Sequence, residues 1–310
     1  MGISGNRRVF SFRFRVATLP RCDRWEGAVA RPNGPVTVCV INLKGGVGKS
    51  TISALLARRG FSNRGLDVLA IDIDPQANLS QGLMHRGYAS FLTQQRPSIV
   101  EVFNGYFPPS KANPVPTPLT ATTSFETIGS VGTRSLELIP SRFDFSDNLL
   151  GAVRPDPRSL ARFLSANYHH KDLIIIDCAP TESVLTTAAY HASSSVLVPV
   201  KPEFFATIGF PLLQQSLNNF RNQNRAHSIS VAGVVVNNAF YHGGNDGGPE
   251  KARAMLEIRS ESARNGWPIY QNEMLHSRGY PKMMRGDNSY LGNAEMFGRF
   301  ANEFFSSVGL

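Results

Sequence analysis

Residues 44–51 read Lys-Gly-Gly-Val-Gly-Lys-Ser-Thr, and their surroundings leave the chain few ways to fold. An apolar run, Val36 to Ile41, precedes them, and a helix-like segment, Ile52 to Arg59, follows. A buried strand, a glycine-rich turn and a helix start therefore meet at one point. Such a junction aims several backbone N–H groups and the positive end of a helix at a common spot, which suits a polyphosphate. Lys49-Ser50 has the form of the end of a P-loop, where the lysine reaches the β- and γ-phosphates and the hydroxyl ligates Mg²⁺. Gly45, Gly46, Val47 and Gly48 would form the cradle. Leu43 stands in place of the usual first glycine, and an extra lysine, Lys44, follows it.

The rest of the chain alternates strand and helix patterns. Strands are expected near 66–73, 136–140, 173–177, 196–200 and 231–236, with a short one near Trp267–Tyr270. Helices are expected near 98–104, 157–168, 182–192, 207–223 and 250–264, and the proline-bearing stretch 106–135 is expected to be loop. This alternation predicts an α/β fold, a doubly wound, mostly parallel sheet flanked by helices. The uninterrupted apolar run Leu173–Ile176 fits a strand covered on both faces.

Carboxylates fall at the ends of two of these strands, where open α/β sheets bind ligands. Asp177 closes the Leu173–Ile176 run and is placed to hold Mg²⁺, directly or through water; the plainer alternative is a helix cap. Asp72 and Asp74 are two apart and share a strand face. One can orient an attacking water while the other supports Mg²⁺; the alternative is a capped turn at Asp74-Pro75. Lys44 is either a solvated loop lysine or a cation that reaches the phosphates of a facing subunit.

Composition narrows the partners. The 310 residues carry a net charge of +9. Residues 1–35 hold seven arginines against Asp23 and Glu26, and are expected to be a basic, disordered extension outside a single domain at 36–310. Their alternative role is an accessory DNA contact. A basic excess favours nucleic acid or anionic lipid. The three cysteines form no C-x-x-C pair, which fits a reducing cytoplasm. At the C-terminus, Phe297, Phe300, Phe304 and Val308 form one helical stripe. Glu295 and Glu303 accompany only Arg299, so the stripe is expected to pack on the body and no stable membrane association is expected.

Three motifs together, Lys44-Gly-Gly-Val-Gly-Lys-Ser-Thr51, Asp72-Ile-Asp-Pro-Gln-Ala-Asn-Leu-Ser80 and Ile176-Asp-Cys-Ala-Pro-Thr181, resemble those of the ParA/Soj partition ATPases. These belong to the deviant Walker A class of P-loop NTPases, with MinD. Leu138-Ile-Pro-Ser141 and Pro199-Val-Lys-Pro-Glu-Phe-Phe-Ala-Thr-Ile-Gly209 agree with the resemblance.

The resemblance implies ATP and Mg²⁺ as cofactors and a homodimer in the ATP state. It makes Lys44 the signature lysine acting across that dimer, Lys49 the P-loop lysine, Ser50 the Mg²⁺ hydroxyl and Thr51 an α-phosphate contact. Asp74 matches the water-activating aspartate, Asp177 the metal aspartate, and Asn237 the place where the class often contacts adenine. It also implies non-specific DNA binding on the nucleoid and a ParB-like protein that stimulates hydrolysis. The loop-like cluster Arg278, Lys282 and Arg285 is the favoured DNA surface, ahead of basic residues at 221, 225, 251, 253, 259 and 264. Other readings are positioning of a protein cargo, a MinD-like membrane regulator, and a nucleotide-gated scaffold without turnover.

Overall fold

The structure is a computed structural model that describes residues 34–107, 115, 117–119, 125–143, 145, 156–203, 206–239, 248–287 and 291–310. The expected basic extension therefore lies outside the described residues, apart from Gly34 and Pro35. Residues 243–247 of the glycine-rich stretch 243–248 also lie outside the described residues.

Ten strands and ten helices are described: β1 (Val36–Val40), α1 (Lys49–Arg64), β2 (Val68–Asp72), α2 (Asn78–Met84), α3 (Gly87–Thr93), α4 (Ile99–Asn104), β3 (Tyr106–Phe107), β4 (Thr117–Pro118), β5 (Glu126–Val131), β6 (Arg134–Ile139), α5 (Ser159–Asn167), β7 (Leu173–Asp177), α6 (Val184–Ala192), β8 (Ser195–Val200), α7 (Phe210–Gln223), β9 (Ser230–Ala239), α8 (Gly248–Asn265), β10 (Met274–Leu275), α9 (Tyr280–Met284) and α10 (Leu291–Ser307). Eight strands form one sheet in the order β10-β9-β8-β1-β7-β2-β6-β5. Every pairing in it is parallel except the β5–β6 hairpin at one edge.

Strand β1 lies inside the sheet, between β7 and β8, and the glycine-rich turn leaves its carboxyl end. Alternate residues of each strand feed two cores. Cys39, Leu69, Ile71, Ile174 and Ile176 face one, covered by α4 to α7. Val38, Val40, Val68, Ala70 and Ile175 face the other, covered by α1 and α10. The central strands thus bury both faces, the arrangement their apolar runs required.

The C-terminal stripe packs as expected. Phe297, Phe300 and Phe304, with Phe305, are buried among Ile52, Leu55 and Leu56 of α1. Among the described residues, no helix is long and apolar enough to cross a membrane.

Four local expectations need correction. Glu126–Val131, expected as loop, is the antiparallel edge strand β5, which turns into β6 through Gly132-Thr133. It is half-exposed and its register slips between Thr127 and Gly129, so it never shows clean alternation. The strand expected near Trp267–Tyr270 reduces to a single bridge between Val234 and Ile269, and the edge strand is Met274–Leu275. Tyr106–Phe107 and Thr117–Pro118, also expected as loop, pair as a separate two-stranded antiparallel sheet, β3 with β4. The loop-like basic stretch contains α9, which begins at Tyr280 with Pro281 in its first turn, where a missing N–H costs nothing.

Candidate nucleotide-binding site

The turn between β1 and α1 is built to leave donors unpaired. Gly48 precedes α1 with φ 91°, and no side chain caps that helix. Its first turn therefore keeps its orphan N–H groups for an incoming acceptor. The start of the turn is pinned by Asn42, which is buried. Its amide donates to the Pro199 carbonyl (2.7 Å), and its Oδ1 accepts from the Lys44 N–H (2.9 Å).

Lys49 is buried in the turn and donates from Nζ to the carbonyls of Asn42 (3.2 Å) and Lys44 (3.4 Å). Burial pushes its ammonium below the usual lysine range, with Asp177 and Asp74 opposing. Lys44, in contrast, points away from this cradle: its Nζ pairs with Glu203 Oε2 at 3.5 Å. The two lysines of the motif thus occupy separate places.

Above the turn opens a cleft of about 540 Å³, within the range of small-molecule sites. Gly45, Gly46, Gly48, Lys49, Ser50 and Thr51 line it on one side; Asp74, Gln76, Asn78, Pro180 and Met284 line it on others. Asp74 is held by a turn of its own, its Oδ1 accepting from the Gln76 N–H at 2.9 Å.

The two strand-end aspartates differ. Asp177 is fully buried; its Oδ1 accepts from Ser53 Oγ (3.1 Å), and the nearby Ser50 hydroxyl favours its charged form. Its Oδ2 is buried with no partner. Burial, reinforced by the charge of Asp72, pushes its carboxyl well above the usual range. A buried carboxylate oxygen without a donor is costly unless a cation meets it. Ser50 and Asp177 therefore fit a hard divalent cation such as Mg²⁺, for which hydroxyl and carboxylate oxygens are suitable ligands.

Asp72, expected among the metal ligands and on one face with Asp74, has both carboxylate oxygens hydrogen-bonded. Its Oδ1 accepts from the Asp74 N–H (3.1 Å), and its Oδ2 from the N–H (2.8 Å) and Oγ (2.7 Å) of Ser80. These bonds offset part of a burial that pushes its carboxyl up to about 7. Asp72 stands beside Asp177 in the β2–β7 register, and its charge acts on that carboxyl.

A family model described as an AAA domain matches residues 36–230. The sporulation initiation inhibitor protein Soj of Bacillus subtilis is 33% identical over 203 residues, covering 64% of this chain and 71% of that protein. The chromosome partitioning protein ParA of Caulobacter vibrioides is 31% identical over 204 residues, covering 64% and 68%.

The chain belongs to the ParA/Soj family of ATPases.

The fold of this ParA/Soj-type ATPase is similar to that in the ATP complex of a Cyanothece McdA variant, with TM-score 0.69 and 19% identity over 90% of this chain and 98% of that one.

Several residues of the site were missed in the sequence. Asn42 and Glu203 act on Lys44 through the fold, and no spacing announces them. Met284 reaches the cleft from α9, which is tied to α1 by a hydrogen bond from Arg58 Nε to the Met284 carbonyl. The three basic residues expected on DNA are exposed along this same segment. Of the other basic candidates, Lys251 pairs with Glu273 and Arg221 donates to the Ile229 carbonyl. Asn237, expected at adenine, is buried against the turn itself, its amide on the Val47 carbonyl at 2.8 Å.

Proposed function

We propose that this ATPase is an ATP-driven dimerising switch that binds DNA without sequence preference and partitions DNA with a ParB-like stimulating partner. The observation that carries this reading is the division of labour between the two lysines. Lys49 fills its own phosphate cradle, whereas Lys44 stands at the rim on Glu203. A lysine so placed is free of cradle duties and suited to the phosphates of a facing copy.

In this reading the first-turn N–H groups of α1, with Thr51, hold the phosphates. Lys49 exchanges its carbonyl partners for charge-assisted bonds to phosphate oxygens. Ser50 and Asp177 would hold Mg²⁺, which supplies neutralisation of phosphate charge when bound. Asp74, on the cleft wall, orients water and accepts its proton. Lys44 steadies charge across the dimer.

The DNA surface is assigned to Arg278, Lys282 and Arg285, exposed on and beside α9. Helix α9 packs on α1 and α2, the elements that carry the cleft, so a surface there can sense the nucleotide state. The protein would act on the nucleoid in the cytoplasm.

The reading is tested by DNA binding at graded salt with ATP, with ADP and without nucleotide. Binding should need ATP and weaken steeply with salt. Replacing Lys282 and Arg285 by Ala should reduce the logarithmic salt slope by about one per contact. Binding that ignores the nucleotide, or a flat salt response, would overturn it. Asp74→Ala should retain ATP and lose turnover.

A further inference from the structure

We infer that Arg58 is a positioning residue that carries the state of the nucleotide cleft to the basic segment at α9. The inference rests on the DNA reading above and deepens it, naming the contact through which ATP would act on that surface.

Arg58 lies in the third turn of α1, the helix whose first turn borders the phosphate cradle. Among the described residues no carboxylate pairs with it, and burial pushes its guanidinium below the usual arginine range. A half-buried cation of this kind depends on the oxygens that do meet it, and here they belong to two other helices. Its Nε donates to the Met284 carbonyl at the end of α9, and its Nη2 to the Leu83 carbonyl (3.4 Å) in the last turn of α2. Gly286, with φ 88°, closes on the same group, since a Cβ there would stand 3.1 Å from Nη1. One guanidinium thus joins the ends of α2 and α9 to α1.

Both joined helices reach the cleft. Helix α2 begins at Asn78 on the cleft wall, and Ser80 fastens it to Asp72 through its N–H (2.8 Å) and Oγ (2.7 Å). Helix α9 ends at Met284, which lines the cleft and lies against Gly82 of α2, where a Cβ would crowd its methyl. A nucleotide that moves the cleft wall therefore moves the Leu83 and Met284 carbonyls, and Arg58 makes the two movements one. Arg278, Lys282 and Arg285 ride on and beside α9. Their placement against a DNA backbone is then set by what occupies the cleft.

The test compares the full chain with Arg58→Lys, which keeps the charge and loses the planar fork that spans both helix ends. DNA affinity is measured with ATP and with ADP, beside ATP affinity and solution mass. The ratio of DNA affinities in the two states should fall about tenfold, with ATP affinity and the ATP-driven gain in mass unchanged. An unchanged ratio would overturn the inference. So would a loss of ATP affinity and stability in step with DNA binding, which would make Arg58 a structural clamp alone. Hydrogen exchange supplies a readout that needs no DNA. A non-hydrolysable ATP analogue with Mg²⁺ should slow the amides of residues 285–287 in the unaltered chain, although none of them lines the cleft, and should not slow them in the variant. Exchange that ignores the nucleotide in the unaltered chain overturns the inference whether or not the variant folds. Slowed exchange in a chain that binds DNA in no nucleotide state would support the action of the cleft on α9 and sink the DNA reading alone.

Discussion

Lys44 Nζ rests 3.5 Å from Glu203 Oε2, and Lys201 takes the other oxygen of the same carboxylate at 2.7 Å. The three residues link the glycine-rich turn to the segment that follows β8. The two lysines, led by the Lys201 hydrogen bond, hold the Glu203 carboxyl below its usual range. In a lone subunit this contact occupies the lysine that the proposed dimer needs.

Glu203 is 46% exposed at its side chain, so its hold on Lys44 is weak, of the order of 0–1 kcal/mol. Glu203→Gln should therefore shift the protein concentration for half-dimerisation with ATP downward by about two- to fivefold. Analytical ultracentrifugation reads this directly. A shift upward would mean that Glu203 works inside the dimer rather than against it.

The unpaired Asp177 Oδ2 makes a prediction about metal. For the unaltered chain, adding Mg²⁺ should strengthen nucleotide binding, and chelation should remove the gain. Asp177→Asn should cut the Mg²⁺-dependent gain by about 10- to 100-fold. Calorimetric titration with and without chelator checks it, and an undiminished Mg²⁺ effect in the variant would remove Asp177 from the metal.

The C-terminal helix gives a stability prediction. Phe300 is fully buried and meets the Tyr270 ring edge-on, with centroids 5.3 Å apart. Phe300→Ala should cost about 3–5 kcal/mol of unfolding free energy, the usual range for a large core side chain. Urea denaturation measures it. A loss under about 1 kcal/mol would show that the helix is peripheral and would revive the membrane reading of its apolar stripe.

The sequence was most legible where one residue type has one physical use. Gly48 and Lys49 announce the turn, and the run Leu173–Ile176 announces a strand buried on both faces. Legibility failed where a partner comes from far along the chain. Strand spacing says nothing of Ser80, which donates to Asp72 Oδ2 from the next helix. Asn237 lies 190 residues from the carbonyl it holds. Lys171, which no motif singles out, is buried and donates to Asp67 (2.8 Å), just before β2, and to Glu137 (2.6 Å) of β6. The edge strand β5 was missed for another reason: half-exposed residues in a slipped register carry no period.

The central claim is that one glycine-rich turn forms only half of a site and that Lys44 completes the other half in a second copy. The most direct measurement is the solution mass of Asp74→Ala, alone and combined with Lys44→Ala, with saturating ATP and Mg²⁺. The single variant should double in mass with ATP and remain a monomer with ADP. The double variant should bind ATP through Lys49 and remain a monomer. An ATP-bound monomer in the first case, or an undiminished dimer in the second, would contradict the account.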